Sequence, residues 1–209
     1  MLYILSSTPV KGATLMPVIE QRFFKKAIDF LSYDYLLFTS KNAVIAAERI
    51  SDEWKRIPAI VIGNATAAKV EELGGRVAFV STSFYGERLA KEISERFDPK
   101  RRYLFLRPKA VATDIADILE KKGFHIDEQV VYETRCVECQ RVQAPPRGSI
   151  IIFSSPSTVR CFFRCFAWDE SYRAYALGTK TAAALPEGIE CRICEGNTLQ
   201  ECIDLILSQ

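Results

Sequence analysis

Histidine is almost missing from this chain of 209 residues: His125 is the only one, set where a strand begins, and it reads as a surface or turn residue. With no second histidine and no G-x-S-x-G turn, a serine hydrolase is a poor reading. G-x-G-x-x-G and P-loop patterns are absent too, so nothing signals a nucleotide cofactor. No run of eighteen apolar residues occurs, which argues against a membrane-spanning helix. Met1-Leu2-Tyr3-Ile4-Leu5 lacks a basic flank and is too short for a secretion signal. Charge excess is also lacking. The 28 Lys and Arg against 26 Asp and Glu leave a net +2, far from the basic face that nucleic-acid binding needs. The seven cysteines, an odd number, show no secreted-scaffold spacing and suit a reducing, cytoplasmic setting.

What the chain does have is a repeat. Phe38-Thr39-Ser40-Lys41-Asn42-Ala43-Val44 returns as Phe153-Ser154-Ser155-Pro156-Ser157-Thr158-Val159. Val61-Ile62-Gly63-Asn64-Ala65-Thr66-Ala67-Ala68 returns as Ala176-Leu177-Gly178-Thr179-Lys180-Thr181-Ala182-Ala183, and the offset is 115 positions in both cases. One offset shared by two motifs points to two related domains of about 100 residues each. Each repeated piece is a strand, a Ser/Thr/Gly turn and a helix start, which is where α/β folds bind ligands.

Apolar periodicity places strands at residues 2–6, 35–38, 59–62, 77–80, 103–106, 126–132, 149–153, 174–177 and 190–193, with an extended segment at 14–24. Helices are expected at 42–50, 65–73, 85–97, 112–122, 157–166, 180–185 and 198–207. The alternation predicts an α/β fold of two similar domains, each a parallel sheet flanked by helices. The first copy holds five strands and the second only three, so the two N-terminal strands complete the second copy. The expected organisation is therefore a discontinuous N-terminal domain of residues 1–20 and 137–209. Residues 25–128 form an inserted domain, and the crossing linkers 21–24 and 129–136 make a two-stranded neck. Only Ser7 to Thr14 join the first two strands, too few for the usual parallel crossover, so this domain is expected to lack one covering helix or to make the connection irregularly.

Two CxxC pairs, Cys136/Cys139 and Cys191/Cys194, raise the question of zinc. Cys191–Cys194 falls on an expected strand, which puts its thiols on opposite faces, and neither pair has the turn chemistry of a zinc knuckle. No metal site is expected. Cys161 and Cys165 accompany the apolar helix residues Val159, Phe162, Phe163 and Phe166 and read as core or boundary residues.

In order along the chain, Phe38-Thr39-Ser40, Asn42-Ala43-Val44, Val61-Ile62-Gly63-Asn64-Ala65-Thr66-Ala67, Val131-Tyr132-Glu133-Thr134, Phe153-Ser154-Ser155-Pro156-Ser157 and Gly178-Thr179-Lys180-Thr181-Ala182 resemble the uroporphyrinogen-III synthase family. The resemblance implies two α/β domains with the active site in the cleft between them. It also implies a cofactor-free lyase that closes linear hydroxymethylbilane into uroporphyrinogen III through a spiro intermediate, inverting the last pyrrole and releasing water. The substrate would then carry eight carboxylates. Helix starts suit carboxylates because free N–H groups and the positive dipole end point outward there. Expected substrate-binding residues are Thr39, Ser40, Lys41, Asn42, Gly63, Asn64, Ala65, Thr66, Arg107, Ser154, Ser155, Ser157, Gly178, Thr179, Lys180 and Thr181. The competing reading makes Ser40, Asn42, Thr66, Ser155 and Ser157 plain N-caps. Tyr132 is the expected catalytic residue, its phenol donating to the departing hydroxyl.

The family pattern is broken in places. Ser7-Thr8-Pro9 lacks the arginine often found after the first strand, and Pro108 and Ala112 stand where a glycine and an arginine are usual. Expected partners are the small-molecule substrate and, in transient handover, hydroxymethylbilane synthase, with no nucleic acid, no membrane and a monomeric state. The alternative is a non-catalytic two-domain protein that binds or senses a small anion.

Overall fold

A computed structural model describes residues 1–81, 86–111, 113–194 and 198–208. Along the chain run β1 (Leu2–Leu5), β2 (Thr14–Leu15), β3 (Ile19–Phe23), β4 (Tyr35–Phe38), α1 (Lys41–Ile50), β5 (Ala59–Ile62), α2 (Asn64–Glu72), β6 (Val77–Ser81), α3 (Gly86–Arg96), β7 (Arg102–Pro108), α4 (Ile115–Glu120) and β8 (His125–Cys136). There follow β9 (Ile150–Phe153), α5 (Pro156–Cys165), β10 (Arg173–Ala176), α6 (Thr179–Ala182), β11 (Cys191–Ile193) and α7 (Leu199–Leu207). Tyr85 and Ala112, expected within the third and fourth helices, lie outside the described residues.

The chain divides into two compact units, Met1–Gln21 with Thr134–Gln209, and Arg22–Glu133. The boundaries fall inside β3 and β8, so the segments expected as linkers, 21–24 and 129–136, lie in strand or directly beside it.

In the inserted unit the strand order is β3-β8-β7-β4-β5-β6. From β8 through β7, β4 and β5 to β6 the pairings are parallel. Side chains alternate across the sheet, as a pleated strand requires. Leu36 and Phe38 of β4 join Val44, Ala47 and Trp54 on one face. Leu37 joins Leu89, Ile93 and Leu119 on the other. Both faces are covered, which is why the strands read as continuous apolar runs.

In the discontinuous unit the order is β11-β10-β9-β1-β2, parallel throughout. Read from β2, the order β2-β1-β9-β10-β11 repeats β8-β7-β4-β5-β6 strand for strand. The two N-terminal strands therefore occupy the places of β7 and β8, as the repeat required. Leu5, Ile151 and Phe153 pack on Phe162 of α5. On the opposite face Ile4 and Ile152 pack on Ile203 and Ile206 of α7.

No helix lies between β1 and β2. The irregular connection is covered instead by α7, whose Ile203 and Leu207 side chains close on Gly12. The expected extended segment 14–24 is broken into β2 and β3 around Pro17, which cannot donate to a ladder.

One sequence expectation fails plainly. Six of the seven cysteines are bridged, Cys136–Cys161, Cys139–Cys165 and Cys194–Cys202, leaving Cys191 free. The odd count suggested free thiols. Instead, Cys161 and Cys165 stand one helical turn apart on α5 and each meets one member of the Cys136/Cys139 pair. They are cross-links as well as core residues. No helix among the described residues is long and apolar enough to cross a membrane.

Candidate functional site

The helix starts that follow the repeated strands come in two kinds. In the inserted unit α1 is capped by Ser40, whose Oγ accepts the Asn42 N–H at 3.2 Å. In the discontinuous unit α5 is capped by Ser155 in a reciprocal box with Thr158. These two serines are N-caps in fact, and their oxygens are partly spent on the helices they start. Ser154 is also committed, its Oγ donating to the Leu5 carbonyl at 2.6 Å. Ser157 lies in the first turn of α5, half-buried.

The other two starts open on glycine. Gly63 begins α2 and Gly178 begins α6, and neither helix has a side-chain cap. Gly63 O accepts the N–H groups of Thr66 and Ala67, and Gly178 O accepts those of Thr181 and Ala182. Asn64, Ala65, Thr179 and Lys180 stand exposed in the first turns, and a helix start is where backbone N–H groups lack partners within the helix. Thr66 and Thr181 are buried, each 5% exposed. The two starts differ in strength. α2 has 9 residues, whereas α6 is a single turn of 4 and carries little dipole. Gly63 also has φ of +73° and ψ of 153°, a region only glycine enters freely, while Gly178 is ordinary extended backbone.

Tyr132 and Ser40 are brought together. The Tyr132 ring is 4% exposed and belongs to the core of Phe38, Ala43 and Val44, with the Phe23 ring 6.2 Å away. Burial pushes its phenol pKa up, and polar contact with the Ser40 hydroxyl at the start of α1 opposes that rise. Thr39, Lys41 and Asn42 share the turn and are half-buried.

The strand that carries Tyr132 is irregular there. Arg107 pairs with Val130 and Pro108 with Tyr132, so the β7–β8 register slips by one and Val131 is the extra residue. A regular strand would send Val131 and Tyr132 to opposite faces. Here both enter one core. The slip was not legible in the sequence, because register depends on the partner strand.

Arg107 lies half-buried beside that slip. Its Nε stands 2.9 Å from Glu128 Oε1, and its Nη1 donates to the carbonyls of Pro108 at 3.2 Å and Lys109 at 3.4 Å. Glu133, next to Tyr132, lies 3.7 Å from Arg22 and 3.5 Å from Lys109. None of these acidic partners was expected from the sequence. Among the described residues no group of three or more His, Cys, Asp or Glu is arranged to hold a metal ion.

Fold and site together define an α/β protein of two units with sheets of matching strand order, one of them discontinuous in the chain, with open helix starts and a buried tyrosine. A family model described as uroporphyrinogen-III synthase HemD matches residues 12–204, and the chain belongs to that family. The crystal structure of uroporphyrinogen-III synthetase from Helicobacter pylori 26695 is similar at 26% identity and a TM-score of 0.84, over 99% of this chain and 98% of that one. A mutant uroporphyrinogen III synthase from the extremely thermophilic bacterium Thermus thermophilus shares the fold at 14% identity and a TM-score of 0.57, over 100% of this chain and 98% of that one. Curated protein sequences return no match.

Proposed function

We propose that this protein closes hydroxymethylbilane to uroporphyrinogen III, inverting the last pyrrole ring and releasing water. Family membership across residues 12–204 carries the reading. The chemistry asks little of an acid. Electron push from the terminal pyrrole nitrogen expels the hydroxyl, and one donor suffices to receive it. A tyrosine phenol is protonated at neutral pH, and burial raises the pKa of Tyr132 further. Its phenol, together with Ser40, supplies that proton, and the proton lost from the pyrrole on ring closure restores it. The departing group leaves as water.

The second demand is conformational. A flexible tetrapyrrole must be held with its ends together, and holding it removes much of the entropic barrier. The backbone N–H groups after Gly63 and Gly178 are the donors we assign to substrate carboxylates, with Lys41 and Lys180 nearby in sequence. The reading includes no metal or organic cofactor, a cytoplasmic location, a monomer, and transient handover from hydroxymethylbilane synthase. It takes β3 and β8 as the two segments that carry the chain from one unit to the other.

The test is to mix the purified protein with freshly prepared hydroxymethylbilane, oxidise the products and resolve the ring isomers. Isomer III is expected. Isomer I alone, at the spontaneous rate, overturns the reading.

A further inference from the structure

We propose that Arg107 is a positioning residue for Tyr132: it grips the turn after β7 and so holds the strand irregularity that turns the phenol toward Ser40. The inference rests on the role given to Tyr132 above.

Pro108 sits opposite Tyr132 and has no N–H to give, so the regular ladder cannot continue through this point. The backbone that follows it is tied down by other means. Nη1 of Arg107 donates to the carbonyls of Pro108 and Lys109. The Lys109 N–H in turn donates to the Tyr132 carbonyl at 2.9 Å. Nε of the same guanidinium lies against Glu128, which is on β8 itself. One side chain thus binds the turn and the strand on either side of the slip. The register there decides whether residue 132 faces the core of Phe38 and Val44 or the opposite face of the sheet.

A direct role in substrate binding fits these contacts less well. The Arg107 side chain is only 21% exposed, its Nη1 is spent on two carbonyls, and its Nε is buried, ion-paired with Glu128 but making no hydrogen bond. Lysine would keep the charge and the pairing with Glu128. It cannot reproduce a planar fork that reaches two carbonyls and a carboxylate at once.

The experiment uses the full chain with tyrosine labelled with carbon-13 at Cζ, and Tyr132→Phe identifies the Tyr132 resonance. In Arg107→Lys and Arg107→Met that resonance is expected to shift. In the same variants kcat falls roughly tenfold or more while KM stays within about twofold. A resonance that stays in place overturns the proposal. So does a KM that rises about tenfold at unchanged kcat, the mark of a lost substrate contact. If Arg107→Met does not fold, Glu128→Gln and Arg107→Lys decide, since each loosens one grip, and an unmoved resonance in both is refuting. If Tyr132→Phe keeps full activity, the role of Tyr132 fails, while the resonance still judges whether Arg107 holds it.

Discussion

The two bridges between α5 and the end of β8 permit a quantitative prediction. Cys136–Cys161 and Cys139–Cys165 span 25 and 26 positions and interlock rather than nest. Closing a loop of that length removes chain entropy worth about 3.5 kcal/mol at 25 °C. The second bridge is worth less, because the first has shortened the path it must close. That path runs through the first bridge and along the short stretches 136–139 and 161–165, an effective loop of about eight residues worth ~2.5 kcal/mol. Replacing Cys139 and Cys165 together by alanine should therefore cost ~2.5 kcal/mol, and replacing all four cysteines about 6 kcal/mol. For a chain of this length the fourfold variant should melt some 12–24 °C lower, at about 2–4 °C per kcal/mol. The assays are thermal unfolding followed by circular dichroism, and a thiol count on protein purified without reductant and denatured. The count should find one reactive thiol, Cys191. Seven reactive thiols, or a fourfold variant within ~1 kcal/mol of the parent, would refute the reasoning.

Further outcomes follow from the site. Tyr132→Phe should lower kcat by roughly a hundredfold with KM little changed, read from initial rates of isomer III formation. Gly63→Ala and Gly178→Ala occupy matching places in the repeat yet should part company in urea unfolding. The first forces alanine to φ near +73° and costs about 1–3 kcal/mol. The second is extended, with open space where the methyl would go, and should be nearly neutral. Alkaline stability has a defined sign. Burial raises the phenol pKa of Tyr103 and Tyr132, so the fold keeps protons that the unfolded chain releases. Their contribution is full below about pH 10 and is lost as pH climbs above it, so urea midpoints should fall in that window and recover on return to neutral pH.

Much of this architecture was legible from periodicity alone. β4 and β5 fell where the apolar runs placed them, and α1, α2, α5 and α7 began within a residue or two of their expected starts. That the N-terminal strands belong to the discontinuous unit followed from one offset and a missing pair of strands, although only Thr14–Leu15 of the expected segment 14–24 joins that sheet. The site was legible as a set of turns but not as a set of roles. Ser40 and Ser155 became caps, whereas Gly63 and Gly178 left their helices open, and only backbone geometry separates those cases. Register was hidden, because nothing local announces that β7 and β8 slip at Pro108. The disulfides left a faint trace. Two cysteines four apart on a helix match the reach of two cysteines three apart at a strand end, but an odd total pointed the other way.

The placing of β1 has a consequence for synthesis. β1 lies between β2 and β9, with Leu2 opposite Ile150 and Leu5 opposite Phe153. On the ribosome that strand emerges well before β9 and then waits for it while residues 6–149 are made. Meanwhile Arg22–Glu133 holds every strand of its own sheet core and can mature as it leaves the exit tunnel. The inserted unit is thus completed before the discontinuous one. A nascent chain with Arg22–Glu133 clear of the tunnel but β9 not yet emerged would carry a finished inserted unit and an apolar β1 with one side unsatisfied, the sort of exposed strand that chaperones bind.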